Sequence, residues 1–261
     1  LEQTFEPPAF LPRPEGYMPP PLITTDPTSA EMIKYAANAF LAVKISFINE
    51  IAGLCDKVGA DVTEVARGIG LDPRIGSRFL SAGLGWGGSC FPKDTAALVA
   101  VASEFNYSLP IVEAAREVNA RQQLLVVEKL QGALKGIRGQ VVGVLGLSFK
   151  PNTDDIRESP ALRLIQLLVE RGAHVRAHDP VAIPKARQAL SSVEVDFIEN
   201  PYKMAEGADA LVLATEWEEY RSLNLSKLAG CMREPVLVDA RNFFSPDEAR
   251  QAGFNYLGVG R

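Results

Sequence analysis

Val141-Val142-Gly143-Val144-Leu145-Gly146-Leu147-Ser148-Phe149-Lys150 is the stretch at which the chain changes character. Its first five residues are a short apolar run closed by glycine, the pattern of a buried strand. Downstream, similar runs predict strands at His174–His178, Val193–Phe197, Ala210–Ala214, Val236–Asp239 and Tyr256–Gly258. Between them, helices are expected near Pro160–Glu170, Pro184–Leu190, Pro201–Glu206, Leu225–Ala229 and Pro246–Ala252. Strands alternating with helices argue for a Rossmann-like parallel sheet with helices on its faces. In such sheets ligands bind beyond the carboxyl ends of the strands, so Thr215, Arg241 and the loop Gly146–Glu158 are candidate ligand positions.

Upstream of that stretch the periodicity is helical. Met32, Ile33, Ala36, Phe40, Leu41, Phe47, Ile48 and Ile51 recur at three- and four-residue spacing, which predicts one long helix from Ser29. Shorter helices are expected at Asp61–Gly68 and Phe91–Glu104, with a Gly-rich loop Ser81–Gly88 between them and a second long helix at Ile111–Leu134. Prolines 7, 8, 12, 14, 19, 20, 21 and 27 preclude regular helix at the start of the chain. The reading is α + α/β: a Pro-rich segment 1–27, an all-helical unit 28–136 and a Rossmann-like unit 137–261.

The net charge of -5 gives no positive field to draw nucleic acid, and no partner of that kind is expected. No apolar run is read as a membrane span, and no secretory signal is read at the start, which leads to a cytoplasmic expectation. Cys55, Cys90 and Cys231 are too few and too scattered for a disulfide framework, and with only His174 and His178 beside them no metal site is expected.

Three segments can carry chemistry. In Gly83-Leu84-Gly85-Trp86-Gly87-Gly88-Ser89-Cys90-Phe91-Pro92-Lys93-Asp94 the glycines allow close approach to a ligand, and Pro92 suits the first turn of a helix. Cys90 then stands at a helix start, where free N–H groups favour thiolate, and Asp94 falls on the same helical face. A lone cysteine is more often a buried structural residue; the glycine loop and the helix start turn this one toward function. Glu31, Lys34 and Asn38 share one face of the first helix, either as a solvated stripe or as a pocket lining. The third segment, Gly143 to Ser159, follows a strand and precedes a helix without being G-x-G-x-x-G, and that fingerprint is read nowhere in the chain. Its Lys150 and Arg157 can meet a diphosphate or a carboxylate, and Asp179 holds either the place of a ribose-binding acid or an ordinary turn.

In this order and spacing the three segments resemble the UDP-glucose/GDP-mannose dehydrogenase family, over nearly everything from Pro21 onward. Gly87 to Asp94 resembles its catalytic-cysteine motif, Glu31-x-x-Lys34-Tyr35-x-x-Asn38 its catalytic-lysine helix, and Phe149-Lys150 with Asp154 to Ser159 the opening of its UDP-binding domain. The wording around Cys90 and Asp155 is nearer to members acting on UDP-glucose than to those acting on GDP-mannose or UDP-N-acetylmannosamine. The resemblance implies two successive NAD-dependent oxidations of a sugar alcohol to an acid, through a thiohemiacetal and a thioester on Cys90, with Lys34, Asn38 and Asp94 as catalytic partners. It implies substrate contacts from Phe79, Leu80, Ser81, Gly83, Trp86, Gly87, Phe149, Lys150 and Arg241, and cofactor contacts from Lys93 and Arg157. It further implies a homodimer through the central helices, with Arg74 supplied to the partner's substrate. The family's NAD-binding domain precedes such segments, so Leu1 to Pro7 is expected to be a remnant of its last helix and the chain alone is expected to be inactive. A GDP-mannose or UDP-amino-sugar enzyme, or a non-catalytic dimerisation and nucleotide-binding module, are the competing expectations.

Overall fold

Asp26 begins the described helical structure: its carboxylate accepts from the N–H of Ser29 at 3.0 Å, and Pro27 behind it occupies a first-turn position where no N–H is required. The computed structural model describes residues 21–261, so the expected remnant at Leu1 to Pro7 lies outside the described residues. Helix α1 runs Pro27–Val58 and stops at Gly59, whose φ of 75° is the left-handed cap. It starts two residues before the expected Ser29, inside the segment read as proline-rich linker, because proline is tolerated in a first helical turn. Helices α2 (Val62–Gly70), α3 (Phe91–Glu104) and α4 (Pro110–Leu134) complete the helical region. Both α3 and α4 carry proline in the first turn.

The remainder alternates as predicted: β1 Val141–Leu145, α5 Pro160–Glu170, β2 His174–His178, α6 Ile183–Ala189, β3 Val195–Phe197, α7 Pro201–Ala205, β4 Ala210–Leu213, α8 Leu225–Cys231, β5 Val236–Asp239, α9 Pro246–Gln251 and β6 Asn255–Gly258. All pairings are parallel and the strand order is β3-β2-β1-β4-β5-β6, the doubly wound Rossmann arrangement. Two details differ from expectation. β3 is shorter than Val193–Phe197 because the Val193 N–H is taken by Leu190 in a turn, and a 3-10 helix at Glu218–Ser222 follows β4, where no periodic run announces it.

Alternate residues of the strands feed different cores. Val142, Val144, Val212 and Val238 join a cluster with Ile48 and Ala52 of α1, Val126 and Leu130 of α4, and Leu164 and Leu168 of α5. Leu145, Leu211, Leu213 and Leu237 instead meet Met204, Trp217, Tyr220 and Phe254. The two-residue period thus places the helical region on one face of the sheet, and α4 is the beam that joins them.

α1 also corrects a sequence expectation. By length and composition, with mean hydropathy 1.3 over its best window, it is apolar enough to cross a membrane. Its alanines and aliphatics pack against α3 and α4, and 39% of that window is buried within the protein.

Candidate functional site

The loop from Ala82 to Gly88 lies almost wholly buried between helices and sheet, and the chain emerges to solvent at Cys90. From the helical side, Asn49 accepts from the N–H of Gly83 at 2.7 Å, Gln123 donates to the Leu84 carbonyl at 2.7 Å, and Ser46 accepts from the Trp86 indole at 3.0 Å. Asn119 accepts from the Trp86 N–H at 2.7 Å and donates to its carbonyl at 3.0 Å. From the sheet side, the Leu84 N–H donates to the Ala240 carbonyl at 2.9 Å, and Arg241 donates to the Gly85 carbonyl at 3.3 Å. The glycines are dictated by these approaches: a Cβ at Gly83 would lie 2.6 Å from the Ala240 carbonyl, and one at Gly87 would lie 2.0 Å from that of Glu158.

Past this loop Cys90 caps the start of α3, without a side-chain cap of its own, and the Asp94 N–H closes the first turn onto its carbonyl at 2.8 Å. Asp94 is fully buried. It accepts from Asn38 at 2.7 Å and from Lys93, and the ammonium of Lys34 stands 3.5 Å away. The Lys93 hydrogen bond, helped by Asn38 and Lys34 and opposed by burial, holds the Asp94 carboxyl below its ordinary range, and the same contact raises Lys93. The polar face of α1 is therefore turned inward at Asn38 and outward at Glu31, which stays exposed. Ser89 Oγ lies 3.8 Å from Cys90 Sγ.

The β1–α5 loop, residues 146–159, lies over the glycine loop. The Gly88 N–H donates to the Arg157 carbonyl at 2.9 Å, and the Phe149 ring fills the space where Gly88 would carry a side chain. Arg157 forks onto Asp155, whose carboxyl that guanidinium lowers to about 2. Lys150 is exposed, with its ammonium 5.3 Å from the centre of the Phe149 ring.

Other expected residues stand differently. Leu80 is buried in the core, while Ser81 is exposed beside it. The Arg74 side chain is 87% exposed and forks onto Asp72. Phe79 holds a φ of 63°, unusual for a bulky residue, and its ring meets Phe91 edge-on at 6.3 Å. Thr215 is fully buried and donates to the Ser148 carbonyl at 2.6 Å, so it closes the crevice beyond β1 and β4 instead of facing a ligand. Asp179 proves to be the turn former: one oxygen accepts from Val181 and Ala182 at 2.9 and 2.7 Å, the other from Leu147 at 2.7 Å and Trp217 at 3.1 Å.

One motif expectation is corrected outright. Gly83-x-Gly85-x-x-Gly88 does carry the G-x-G-x-x-G spacing, but it follows no strand, and its glycines serve side chains and backbone of this protein. The sequence reading missed Ser46, Asn49, Asn119 and Gln123. Spacing alone, Ser46 with Asn49 on α1 and Asn119 with Gln123 on α4, marks a shared helix face but does not say which loop that face meets.

A cleft of about 440 Å³ borders Trp86, Pro92, Arg116, Asn119, Glu158 and Arg163, and one of about 220 Å³ borders Leu80, Ser81, Ala82 and Arg241. A hollow of similar size, about 470 Å³, near Cys55, Asp61 and Arg261 includes none of the residues singled out for chemistry, so size does not locate the site here.

Fold and site together define an open, wholly parallel nucleotide-binding type of sheet, clamped to helices that present an exposed cysteine beside a buried, cation-bound carboxylate. Residues 28–121 match the central domain of the UDP-glucose/GDP-mannose dehydrogenase family, and residues 143–246 match that family's UDP binding domain. The chain belongs to this family. It is 49% identical to the UDP-glucose 6-dehydrogenase TuaD of Bacillus subtilis over 92% of its own length and 52% of that protein's. Among solved structures it resembles a UDP-glucose dehydrogenase from Pyrobaculum islandicum, with TM-score 0.81 and 42% identity over 90% of this chain and 51% of that one. It also resembles a UDP-D-ManNAc dehydrogenase from Pyrococcus horikoshii, with TM-score 0.78 and 31% identity over 91% of this chain and 53% of that one. The chain thus spans about half the length of the relatives it matches.

Proposed function

We propose that these residues form the cysteine and nucleotide-sugar half of a UDP-glucose 6-dehydrogenase site, in which a sugar primary alcohol is oxidised to a carboxylate. The observation that carries this reading is Asp94, which gathers Asn38, Lys34 and Lys93 in the first turn that Cys90 opens. Cys90 Sγ adds to the aldehyde carbon to give a thiohemiacetal. The Lys34 ammonium and the Asn38 amide, both anchored by Asp94, stabilise the oxyanion that this addition creates. At the acyl level water displaces the sulfur, and Asp94 orients that water or takes its proton. Lys150 and Arg241 supply positive charge for the diphosphate, Phe149 and Trp86 apolar walls, and Ser81 with the backbone of Leu80, Gly83 and Gly87 polar contacts near the sugar. Phe79 borders that region, and the exposed Arg74, on exchanging its Asp72 partner for the ligand, serves a partner's substrate.

NAD is the hydride acceptor implied by the resemblance, and the residues described here do not compose a site for it. The place a dinucleotide takes in such a sheet is closed by Thr215 and by Asp179, whose oxygens are occupied by backbone N–H groups. Lys93 and Arg157, both exposed, are the cations this reading assigns to a cofactor held elsewhere. No hydride step is therefore assigned to these residues.

A second copy of the chain is the proposed partner. Ile33, Phe40, Phe47 and Leu54, each seven residues from the last, leave an exposed apolar stripe along α1, with Phe40 64% accessible. Beside it a hollow of about 250 Å³ is lined by Val43, Phe47, Ile111 and Val118.

The reading is tested in two measurements. Calorimetric titration of the 261-residue chain is expected to show weak binding of UDP-glucose, weaker binding of UDP-N-acetylmannosamine and none of GDP-mannose, with no NAD reduction; preference for GDP-mannose overturns the substrate assignment. In a full-length enzyme carrying these residues, Cys90→Ser is expected to lower turnover by roughly 10³-fold or more with little change in melting temperature, since the side chain is exposed. Turnover near the parent's would remove the cysteine from the chemistry.

A further inference from the structure

We propose that Asn119 on α4 is a positioning residue for Cys90, an inference that rests on the cysteine reading above. Its amide spans the peptide groups of Trp86, accepting from the N–H and donating to the carbonyl, so that one side chain pairs with the backbone as a neighbouring strand would. Gln123, one turn further along α4, donates to the Leu84 carbonyl and continues this side-chain ladder. The fit is interlocked with Gly85, whose φ is 107° and whose absent Cβ would lie 2.6 Å from Asn119 Oδ1.

Trp86 is the last residue held from the helical side before the chain turns to Cys90. Its ring meets Phe91, the residue after the cysteine, edge-on at 6.2 Å, while Gly88 is tied to the Arg157 carbonyl. Fixing the Trp86 peptide therefore fixes where the first turn of α3 begins and where the sulfur stands relative to Asp94, Lys34 and Asn38. α4 also bears the core side chains Val126, Val127 and Leu130 that pack against the sheet, so the same rigid helix sets both the cysteine loop and the sheet. Misplacement on the order of 1 Å at a reacting centre can cost roughly 100-fold in rate, which gives a residue remote from the chemistry this leverage.

The test uses the full-length enzyme with Asn119→Ala, and Asn119→Asp as a second variant that keeps the acceptor for the Trp86 N–H and loses the donor. Turnover is expected to fall by roughly 30- to 100-fold in Asn119→Ala and less in Asn119→Asp, with KM for the nucleotide sugar changed by less than about threefold. Alkylation of Cys90 by iodoacetamide, followed by peptide mass analysis in each variant, is expected to change in rate and in pH profile. Folded variants with parental turnover and a parental alkylation profile overturn the proposal, as does a loss confined to melting temperature. The alkylation arm needs no turnover. An altered Cys90 profile in a protein that oxidises no nucleotide sugar sustains the positioning role while removing the proposed function.

Discussion

The two regions of this chain treat their apolar side chains in opposite ways. In the helical region Phe40, Phe47, Leu54, Phe105 and Ile111 stand in solvent, with Phe105 78% and Ile111 70% exposed. In the sheet region β4 and β5 are buried at every residue, and among the described residues Val181 alone is a large exposed hydrophobic beyond Ile111. The sheet region is finished within the chain, one core closed by its own helices and the other shared with α1 and α4. The helical region has apolar surface still to cover, which is the physical content of the proposed dimer.

That contrast can be broken at its strongest point. Phe40→Glu places a charge in the middle of the α1 stripe and is expected to weaken self-association by roughly 30-fold or more, read by sedimentation equilibrium. A parent that already sediments as a monomer at micromolar concentration removes the contrast altogether. A smaller effect concerns acid stability at the seam between the regions. The folded-state values of Asp94 and Asp155 both lie below the reference of 3.8, Asp155 at about 2. The stability they contribute is therefore complete above about pH 4 and is lost as the pH falls toward 2. Asp155→Asn is expected to flatten the slope of melting temperature against pH in that window; an unchanged slope removes the Arg157 pair from the account. Smallest of all, Val181→Ser in the sheet region is expected to change stability by less than about 0.5 kcal/mol in a denaturant titration. A larger loss there would mean that this region, too, relies on a covered surface.

The sheet was legible because its signal is local: each apolar run is bounded by its own turn and repeats at intervals that only a parallel arrangement explains. The 3-10 helix at Glu218–Ser222 was not legible, since its one buried residue, Tyr220, is placed by a long-range contact with His178 at 3.0 Å. At the candidate site, periodicity and one proline placed Lys34 with Asn38 on one helix face and Cys90 with Asp94 at one helix start; only the family resemblance joined the two pairs, which the structure brings into contact at Asp94. The clamp on the glycine loop could not, for it joins Asn49 and Asn119 to Gly83 and Trp86 across sequence gaps that no periodicity spans. The glycine spacing itself was overlooked. Without a strand in front of it, the spacing of a dinucleotide turn serves close approaches to Ala240, Asn119 and Phe149.

The contact between Gly87 and the Glu158 carbonyl leaves no room for even a methyl group. A joint that tight has given up its freedom to hinge. In the proposed reading, the sulfur and the cation-bearing loop above it then shift as one piece when a sugar nucleotide enters, and the gating falls to whatever else frames the opening.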